Sequence, residues 1–193
     1  RVVAISAPDR PDPRASAWRS VQRSIVRELC AVDHPRRGLE LARALAMTTY
    51  RTPDELAERF DGPTEVVNGI ARAPIEDYLE ARGAAFAEQF TPELFLSRSQ
   101  CLDLHRVDPA LLRVPTTLIG VRSDALVRVD QLRRLADAIR TAGRTTCTLW
   151  ELDSRYGHDA FLKEGPALAP WIATALDSTP TPSAGAPQRE AAQ

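Results

Sequence analysis

Two side chains that could exchange protons with a substrate follow two successive apolar runs of the sequence. Asp124 comes after the run 116–121, and His158 stands in Tyr156-Gly-His-Asp159, after the run 146–152. A histidine that acts as a general base is held in the required tautomer by a carboxylate, and with a serine the pair forms a nucleophilic triad. The two residues therefore predict base-assisted nucleophilic chemistry, with His158 as the base and Asp124 as its partner.

The serine of such a triad has no candidate in the sequence. Where a triad runs serine, acid, histidine along the chain, the serine lies on a Gly-x-Ser-x-Gly turn. No Gly-x-Ser-x-Gly occurs among the 193 residues, and the sequence begins without Met in the strand-like run 2–5. We therefore expect the chain to be the C-terminal part of a longer protein that carries the serine, and we expect the chain by itself to be inactive.

Each of the two residues, taken alone, has an ordinary structural explanation. His158 could cap the last helix or simply be solvated, and Asp124 could be a turn residue after Arg122-Ser123. The pair is more informative, because the carboxyl ends of neighbouring parallel strands meet at one edge of a sheet, where α/β proteins bind ligands. We expect Asp124 and His158 to lie together at that edge.

The elements that must position this pair are strands and one amphipathic helix. Short, β-branched, apolar runs predict three buried parallel strands over residues 2–6, 116–121 and 146–152. An apolar stripe from Val129 predicts a helix that ends at Gly143 and connects the last two strands by a right-handed crossover. A final helix is expected over about residues 166–176.

About 100 residues between the first two strands show helical spacing and no strand signal, which predicts an inserted helical domain. Thr52-Pro53 with Glu55 forms a capping box at one helix start, and Thr91-Pro92 begins another. The expected organisation is a core strand in 1–8, a helical lid in 9–112, the C-terminal part of the core in 113–177 and a disordered tail in 178–193.

Composition limits the possible partners. The sequence has 25 basic and 26 acidic residues and a net charge of −1, which argues against nucleic acid or an anionic membrane as partner.

The three cysteines are far apart, and no Cys-x-x-Cys or His-x-x-x-His spacing is present, so no metal site is expected. The spacing of Asp103, His105 and Asp108 could suggest a metal site. Asp108-Pro109 is instead a helix-start signal, so these residues are expected to be structural. Without a signal peptide or a long apolar stretch, a soluble, cytoplasmic protein is expected.

An ordered set of motifs resembles the homoserine O-acyltransferases. The motifs are Arg1-Val-Val-Ala-Ile-Ser-Ala-Pro-Asp-Arg-Pro11, Ser16-Ala-Trp-Arg-Ser-Val-Gln-Arg23, Gly38-Leu-Glu-Leu-Ala-Arg43, Met47-Thr-Thr-Tyr-Arg-Thr-Pro53, Asp103-Leu-His-Arg-Val-Asp-Pro109, Gly120-Val-Arg-Ser-Asp-Ala-Leu-Val127 and Tyr156-Gly-His-Asp-Ala-Phe-Leu-Lys-Glu164. The resemblance covers about residues 1–175. It is closer to the O-succinyltransferase branch than to the O-acetyltransferase branch.

The resemblance implies the C-terminal part of an α/β-hydrolase fold with an inserted helical lid, in an enzyme of methionine biosynthesis. Such an enzyme transfers an acyl group from a CoA thioester to its serine and then to the hydroxyl of L-homoserine, with acyl-CoA as co-substrate and no further cofactor. Succinyl-CoA is the expected donor, with acetyl-CoA as the alternative. The resemblance also implies a homodimer formed through the lid.

Residue by residue, the resemblance implies that Asp124 is the catalytic acid and His158 the base. It matches Arg43 and Asp159 to substrate-binding residues and leaves Arg51 as a second arginine candidate. Homoserine is a zwitterion, so a guanidinium for its carboxylate and a carboxylate for its ammonium would orient it. Arg43 could otherwise be a solvated arginine on a helix face.

Two other functions remain compatible with the sequence. An esterase of the same fold would use water in place of homoserine, in which case Arg43 and Asp159 would have no reason to converge on the pocket. A non-catalytic, hydrolase-like binding protein would have lost its serine.

Overall fold

The computed structural model describes residues 1–177 of the chain. The predicted disordered tail, 178–193, lies outside the described residues. In chain order the elements are β1 (Val2–Ile5), α1 (Pro13–Ala31), α2 (Pro35–Tyr50), α3 (Pro53–Phe60), β2 (Glu65–Val67), β3 (Ile70–Arg72), α4 (Glu76–Ala87), α5 (Pro92–Leu104), β4 (Thr116–Val121), α6 (Val129–Ala142), β5 (Cys147–Leu152), α7 (Ala160–Lys163) and α8 (Gly165–Asp177), with 3₁₀ turns at Pro109–Leu111 and Gly157–Asp159.

The predicted parallel sheet is confirmed. Its strand order is β1-β4-β5, and Ile119 of β4 stands beside Ile5 of β1 and Trp150 of β5. The strand bounds agree with the sequence prediction to within one residue at each end. Because β4 and β5 are parallel neighbours, their carboxyl ends lie at the same edge of the sheet.

Alternation along β4 distributes its side chains between two core clusters. Leu118 packs against α6, where Leu132 and Ile139 are buried, while Ile119 and Val121 face the opposite side with Leu168 of α8. A strand covered on both faces must be apolar throughout, which explains the uninterrupted run that marked it in the sequence. Helix α6 ends, as predicted, at Gly143, whose φ of 65° is the left-handed conformation that closes a helix.

Five helices, α1 to α5, lie between β1 and β4. Val26 of α1 and the α2 residues Leu39 and Ala42 form a buried cluster, with Phe86 of α4 and Phe95 of α5 packed against it. Thr52 begins α3 as predicted, since its hydroxyl accepts a hydrogen bond from the amide of Glu55. These helices place their connecting segments above the carboxyl edge of the sheet.

The expectation that this insertion has no strand is wrong at one place. Strands β2 and β3 form an antiparallel hairpin whose turn is Asn68-Gly69, with φ of 53° and 78°. Positive φ at both central residues defines a tight hairpin turn that Asn-Gly favours. The Asn68-Gly69 pair is therefore a hairpin signal in the sequence. The two strands are only three residues long and largely solvent-exposed, so they lack the long apolar run or alternation that predicts a strand.

The close contact between α2 and α4 should reverse the usual stabilising effect of a glycine-to-alanine substitution. A β-carbon on Gly83 would lie 2.6 Å from the carbonyl oxygen of Glu40, whereas one on Gly165 would meet nothing within 4 Å. Replacing a helical glycine by alanine normally stabilises by about 0.5–1 kcal/mol. Gly83→Ala should instead lower the free energy of unfolding by about 1–3 kcal/mol, because the two backbones must separate.

Urea unfolding measures both variants. Gly165→Ala is the control and should leave stability equal or slightly higher. If Gly83→Ala stabilised the chain as much as Gly165→Ala, the close packing of α4 on α2 would be wrong.

Candidate active site

Asp124 and His158 meet at the carboxyl edge of the sheet. Asp124 lies in the turn after β4 and His158 in the 3₁₀ turn after β5, and Nδ1 of His158 is 2.8 Å from Oδ2 of Asp124. The pairing of β4 with β5 brings together two residues that are 34 positions apart in sequence. The expected juxtaposition is therefore present.

The backbone around Asp124 fixes the carboxylate. Its Oδ1 accepts hydrogen bonds from the amides of Leu126 at 2.8 Å and Val127 at 2.9 Å, and its side chain has no exposed surface. An ionised carboxylate only accepts hydrogen bonds, so Nδ1 of His158 must carry the proton that bridges to Oδ2. In a neutral imidazole, this tautomer leaves Nε2 of His158 able to accept a proton from a substrate.

His158 lines a cavity of about 580 Å³ between the sheet edge and the inserted helices. Apolar side chains supply much of its wall, and they are Trp18, Phe90, Phe95, Leu102, Leu126 and Val127. Concave, mainly apolar cavities with a few placed polar groups are typical of small-molecule sites. A general base in the wall of such a cavity can reach a bound ligand.

Ser6, at the end of β1, is a polar group of this wall that the sequence analysis did not single out. Its φ is 46°, an uncommon conformation for a residue other than glycine. Its hydroxyl is buried and has no hydrogen-bond partner among the described residues. No spacing or composition signal in the sequence distinguishes it from other serines.

Two arginines contribute positive charge to the cavity wall. Arg19 is held by Asp103, whose other oxygen binds Arg23. Burial alone would raise the pKa of Asp103, but hydrogen bonds from Ser16, Arg19 and Arg23 lower it below its ordinary value. Arg98 lies over the ring of Phe90 and has no ion pair with any residue in 1–177.

The alternating acidic and histidine residues of this region have structural contacts. Asp103 anchors α1 to α5, Nε2 of His105 is 3.1 Å from the carbonyl oxygen of Pro8, and Asp108 caps the following 3₁₀ turn. Across residues 1–177, no three His, Cys, Asp or Glu side chains group in a way that could hold a metal ion.

Arg43 is separated from the base by one aromatic ring. Its guanidinium lies 5.1 Å from the ring centre of Tyr50 and 5.4 Å from that of Phe86, and the ring of Tyr50 is 5.7 Å from that of His158. No carboxylate of the described chain forms an ion pair with Arg43. Its charge is therefore available, although Arg43 does not line the cavity itself.

Arg51 and Asp159, expected as ligand-binding candidates, contact each other. Nη2 of Arg51 is 3.4 Å from Oδ2 of Asp159, and Nη1 pairs with Glu55. Burial disfavours the charge on Arg51, but Tyr78, Glu55 and Asp159 together raise the pKa of its guanidinium above the ordinary value. Neither residue lines the cavity of His158.

Tyr50 and Glu55 were not identified as site residues from the sequence. Tyr50 lies seven residues after Arg43, two turns along the same helix face, so helical spacing could have indicated it. The sequence pattern places Glu55 in a capping box, whereas in the structure its carboxylate forms an ion pair with Arg51. A carboxylate in the first turn of a helix gives no sequence signal of which cation it will meet.

Gly157 allows the turn before the base to approach α2. Its φ is 58°, and a β-carbon there would lie 2.8 Å from the carbonyl oxygen of Tyr50. Gly143 has a similar φ of 65° but open space around it. The two glycines thus separate the cost of a left-handed backbone from the cost of a steric clash.

Gly143→Ala should lower the free energy of unfolding by about 1–2 kcal/mol, the cost of a left-handed alanine. Gly157→Ala should cost about 1–3 kcal/mol more, because the turn must also move away from Tyr50. Thermal and urea unfolding of both variants measure this difference. Equal losses would show that the His158 turn is not pressed against α2.

The sheet order, the inserted helices and the Asp124–His158 pair at the carboxyl edge are those of the α/β-hydrolase fold. Two solved structures agree with this fold. Homoserine O-acetyltransferase from Bacillus anthracis superposes with a TM-score of 0.83 at 11% identity, over 93% of this chain and 53% of that one. Esterase E22 superposes with a TM-score of 0.78 at 15% identity, over 92% of this chain and 54% of that one.

Sequence similarity identifies the family. The chain is 42% identical over 181 residues to a homoserine O-succinyltransferase of Xanthomonas campestris pv. campestris, covering 92% of this chain and 47% of that protein. It is 31% identical over 200 residues to a serine O-succinyltransferase of Litchfieldella anticariensis, covering 91% of this chain and 54% of that protein. The chain belongs to the homoserine O-acyltransferase family.

The chain spans about half the length of the curated relatives it matches. No family model matches it. Within residues 1–177, no helix combines the length and the apolar character needed to cross a bilayer.

Proposed function

We propose that this chain is the acid–base half of a homoserine O-acyltransferase, whose serine nucleophile is supplied by residues outside these 193. The single observation that carries the proposal is the 2.8 Å hydrogen bond between Asp124 and His158, in the wall of a cavity large enough for a substrate. Membership of the family supports acyl transfer as the reaction.

In this proposal His158 moves one proton back and forth. Its Nε2 takes the hydroxyl proton of the serine as that oxygen attacks the thioester carbonyl, and gives the proton to the departing CoA sulfur. It then takes the hydroxyl proton of homoserine as that oxygen attacks the acyl-serine, and returns it to the serine oxygen. Asp124 stabilises the imidazolium that exists between these transfers.

Arg43 and Asp159 are proposed to bind the carboxylate and the ammonium of L-homoserine. Arg43 supports this because its guanidinium has no carboxylate partner in 1–177 and contacts Tyr50, which packs on His158. Asp159 follows the base directly, but Arg51 already holds one of its oxygens. The acceptor role of Asp159 therefore depends on the oxygen that Arg51 leaves free.

Succinyl-CoA is the proposed acyl donor, and no other cofactor is invoked. The relative with 42% identity is a homoserine O-succinyltransferase, and Arg98, which lines the cavity without an ion pair in 1–177, suits an acyl group ending in a carboxylate. Arg122 and Arg128, the loop arginines near Asp124, pair instead with Glu151, Asp153 and Asp130 and do not line the cavity.

A cytoplasmic homodimer completes the proposal. Exposed apolar residues of the inserted segment support a second copy as partner, and they include Val21, Leu41, Val66 and Ile70. Light scattering on the purified chain would give its mass in solution, and a monomer at micromolar concentration would argue against association through these helices.

A chimera tests the acid–base assignment. This chain would replace the matching part of the Xanthomonas homoserine O-succinyltransferase, so that the relative supplies the remainder of the enzyme. In the chimera, His158→Ala should abolish acyl transfer. Asp124→Asn should lower kcat by about 10³–10⁴-fold with little change in substrate binding, because the amide favours the wrong histidine tautomer.

Steady-state kinetics with succinyl-CoA and L-homoserine measure both variants. The double variant should be little worse than His158→Ala, since the two residues act as a unit. Turnover within a few-fold of the unmodified chimera in either single variant would remove the proton-transfer assignment.

The acceptor assignment is tested by separating the two half-reactions. Arg43→Ala should weaken the use of homoserine by about 2–5 kcal/mol, the cost of removing one member of a desolvated charge pair. Formation of the acyl-enzyme should change much less, because it precedes acceptor binding. Single-turnover kinetics in the chimera resolve the two steps.

Equal loss in both half-reactions would make Arg43 structural. No loss in either would favour the esterase, which uses water as the acceptor.

A further inference from the structure

The turn that carries His158 is seated on the junction between α2 and α3. The hydroxyl of Thr52 donates a 2.6 Å hydrogen bond to the carbonyl oxygen of Arg155, and Gly157 packs directly against the backbone of Tyr50. These contacts join segments about 100 residues apart in sequence. The position of the base therefore depends on the helical insertion as well as on β5.

One side chain of the junction connects two buried carboxylates. Arg51 directs Nη1 to Glu55 on α3 and Nη2 to Asp159, the residue that follows His158. The exposed fractions of the three side chains are only 9%, 3% and 11%. A planar guanidinium can bridge two carboxylates in a fixed geometry, whereas an ammonium is a point charge on a flexible stem.

Glu55 of α3 is held from two sides. Arg51 lies four residues before it and Arg59 four residues after it, with Nη1 of Arg59 at 3.6 Å from Oε1, and Nζ of Lys163 lies 3.8 Å from the same oxygen. Arg59 and Lys163 are the more exposed cations, at 38% and 37%. Arg51 is the cation that also reaches the His158 turn.

This network is a poor source of stability. Nε of Arg51 and Oε2 of Glu55 are buried without a hydrogen-bond partner among residues 1–177. Buried ion pairs with unsatisfied atoms often contribute less than apolar side chains of the same volume, and their best-supported use is to specify one arrangement. A network of this kind beside the catalytic base suggests that it fixes a position.

We propose that Arg51, anchored by Glu55, is a positioning residue: it holds the turn 155–159 so that the His158 ring stays aligned with Asp124. Its effect on catalysis rests on the proposed function, but its effect on His158 does not. This role differs from direct binding of the substrate carboxylate by Arg51, which would require its nitrogens to face the cavity.

The state of the His158 ring gives a test that needs no catalysis. The chain has three histidines, so the imidazole resonances can be assigned by substitution of His34 and His105. An Nδ1 proton bound to a carboxylate resonates far downfield and exchanges slowly with water. We expect this proton signal in the unmodified 193-residue chain and its loss in Arg51→Lys, which keeps the charge but cannot bridge two carboxylates.

Arg59→Lys is the matched control, because Arg59 makes the same four-residue pairing with Glu55 but no ion pair with Asp159. It should retain the downfield proton. The backbone amide spectrum reports folding of each variant. If Arg51→Lys does not fold, Glu55→Gln, which keeps the shape of the anchor, replaces it under the same criterion. Retention of the proton in the folded Arg51 or Glu55 variant would overturn the proposal.

Kinetics in the chimera separate positioning from substrate binding. A displaced base should lower the rate constants of both half-reactions by up to about 10²-fold, with little change in KM for homoserine. A substrate-binding Arg51 would instead raise that KM and spare acyl-enzyme formation, which would contradict the proposal. An inactive unmodified chimera would count against the proposed function alone, because the histidine spectrum would still decide the role of Arg51.

Discussion

The arrangement of the site depends on the hydrogen bond between Asp124 and His158. It forms because β4 and β5 are adjacent and in parallel register, so that the turns after them leave the sheet at the same edge. Three hydrogen bonds fix the Asp124 carboxylate without solvent, and this determines which nitrogen of His158 faces the cavity.

The sheet and the inserted helices make different contributions to the site. The turns after β4 and β5 supply Asp124 and His158, while the inserted segment supplies much of the apolar cavity wall, the Arg43–Tyr50 stack and the buried contact through Arg51. Helix α2 carries Arg43 and Tyr50, packs on α1 and α4, and is followed directly by Arg51. The proposed acceptor-binding arginine and the proposed positioning arginine therefore lie, respectively, in the C-terminal half of this helix and at its C-cap.

Much of the core could be predicted because its signals are local or periodic. The apolar run of β4, the stripe of α6 and the glycine that ends it each determine one element, and parallel strands then bring their ends together. The bridge from Arg51 to Asp159 spans more than 100 residues, and no pattern indicates which of the many arginines forms it. The unpartnered hydroxyl of Ser6 likewise follows from packing rather than from residue type. The Asn-Gly hairpin was predictable, but its strands are too short to interrupt a helical pattern.

We propose that Asp124 and His158 of this chain are the acid and the base for transfer of an acyl group to homoserine. The most direct measurement is product analysis of the unmodified Xanthomonas chimera incubated with succinyl-CoA, with and without L-homoserine. We expect release of CoA that depends on homoserine, with O-succinylhomoserine as the product. Release of CoA and free succinate at the same rate without homoserine, or no release from a folded chimera, would contradict it.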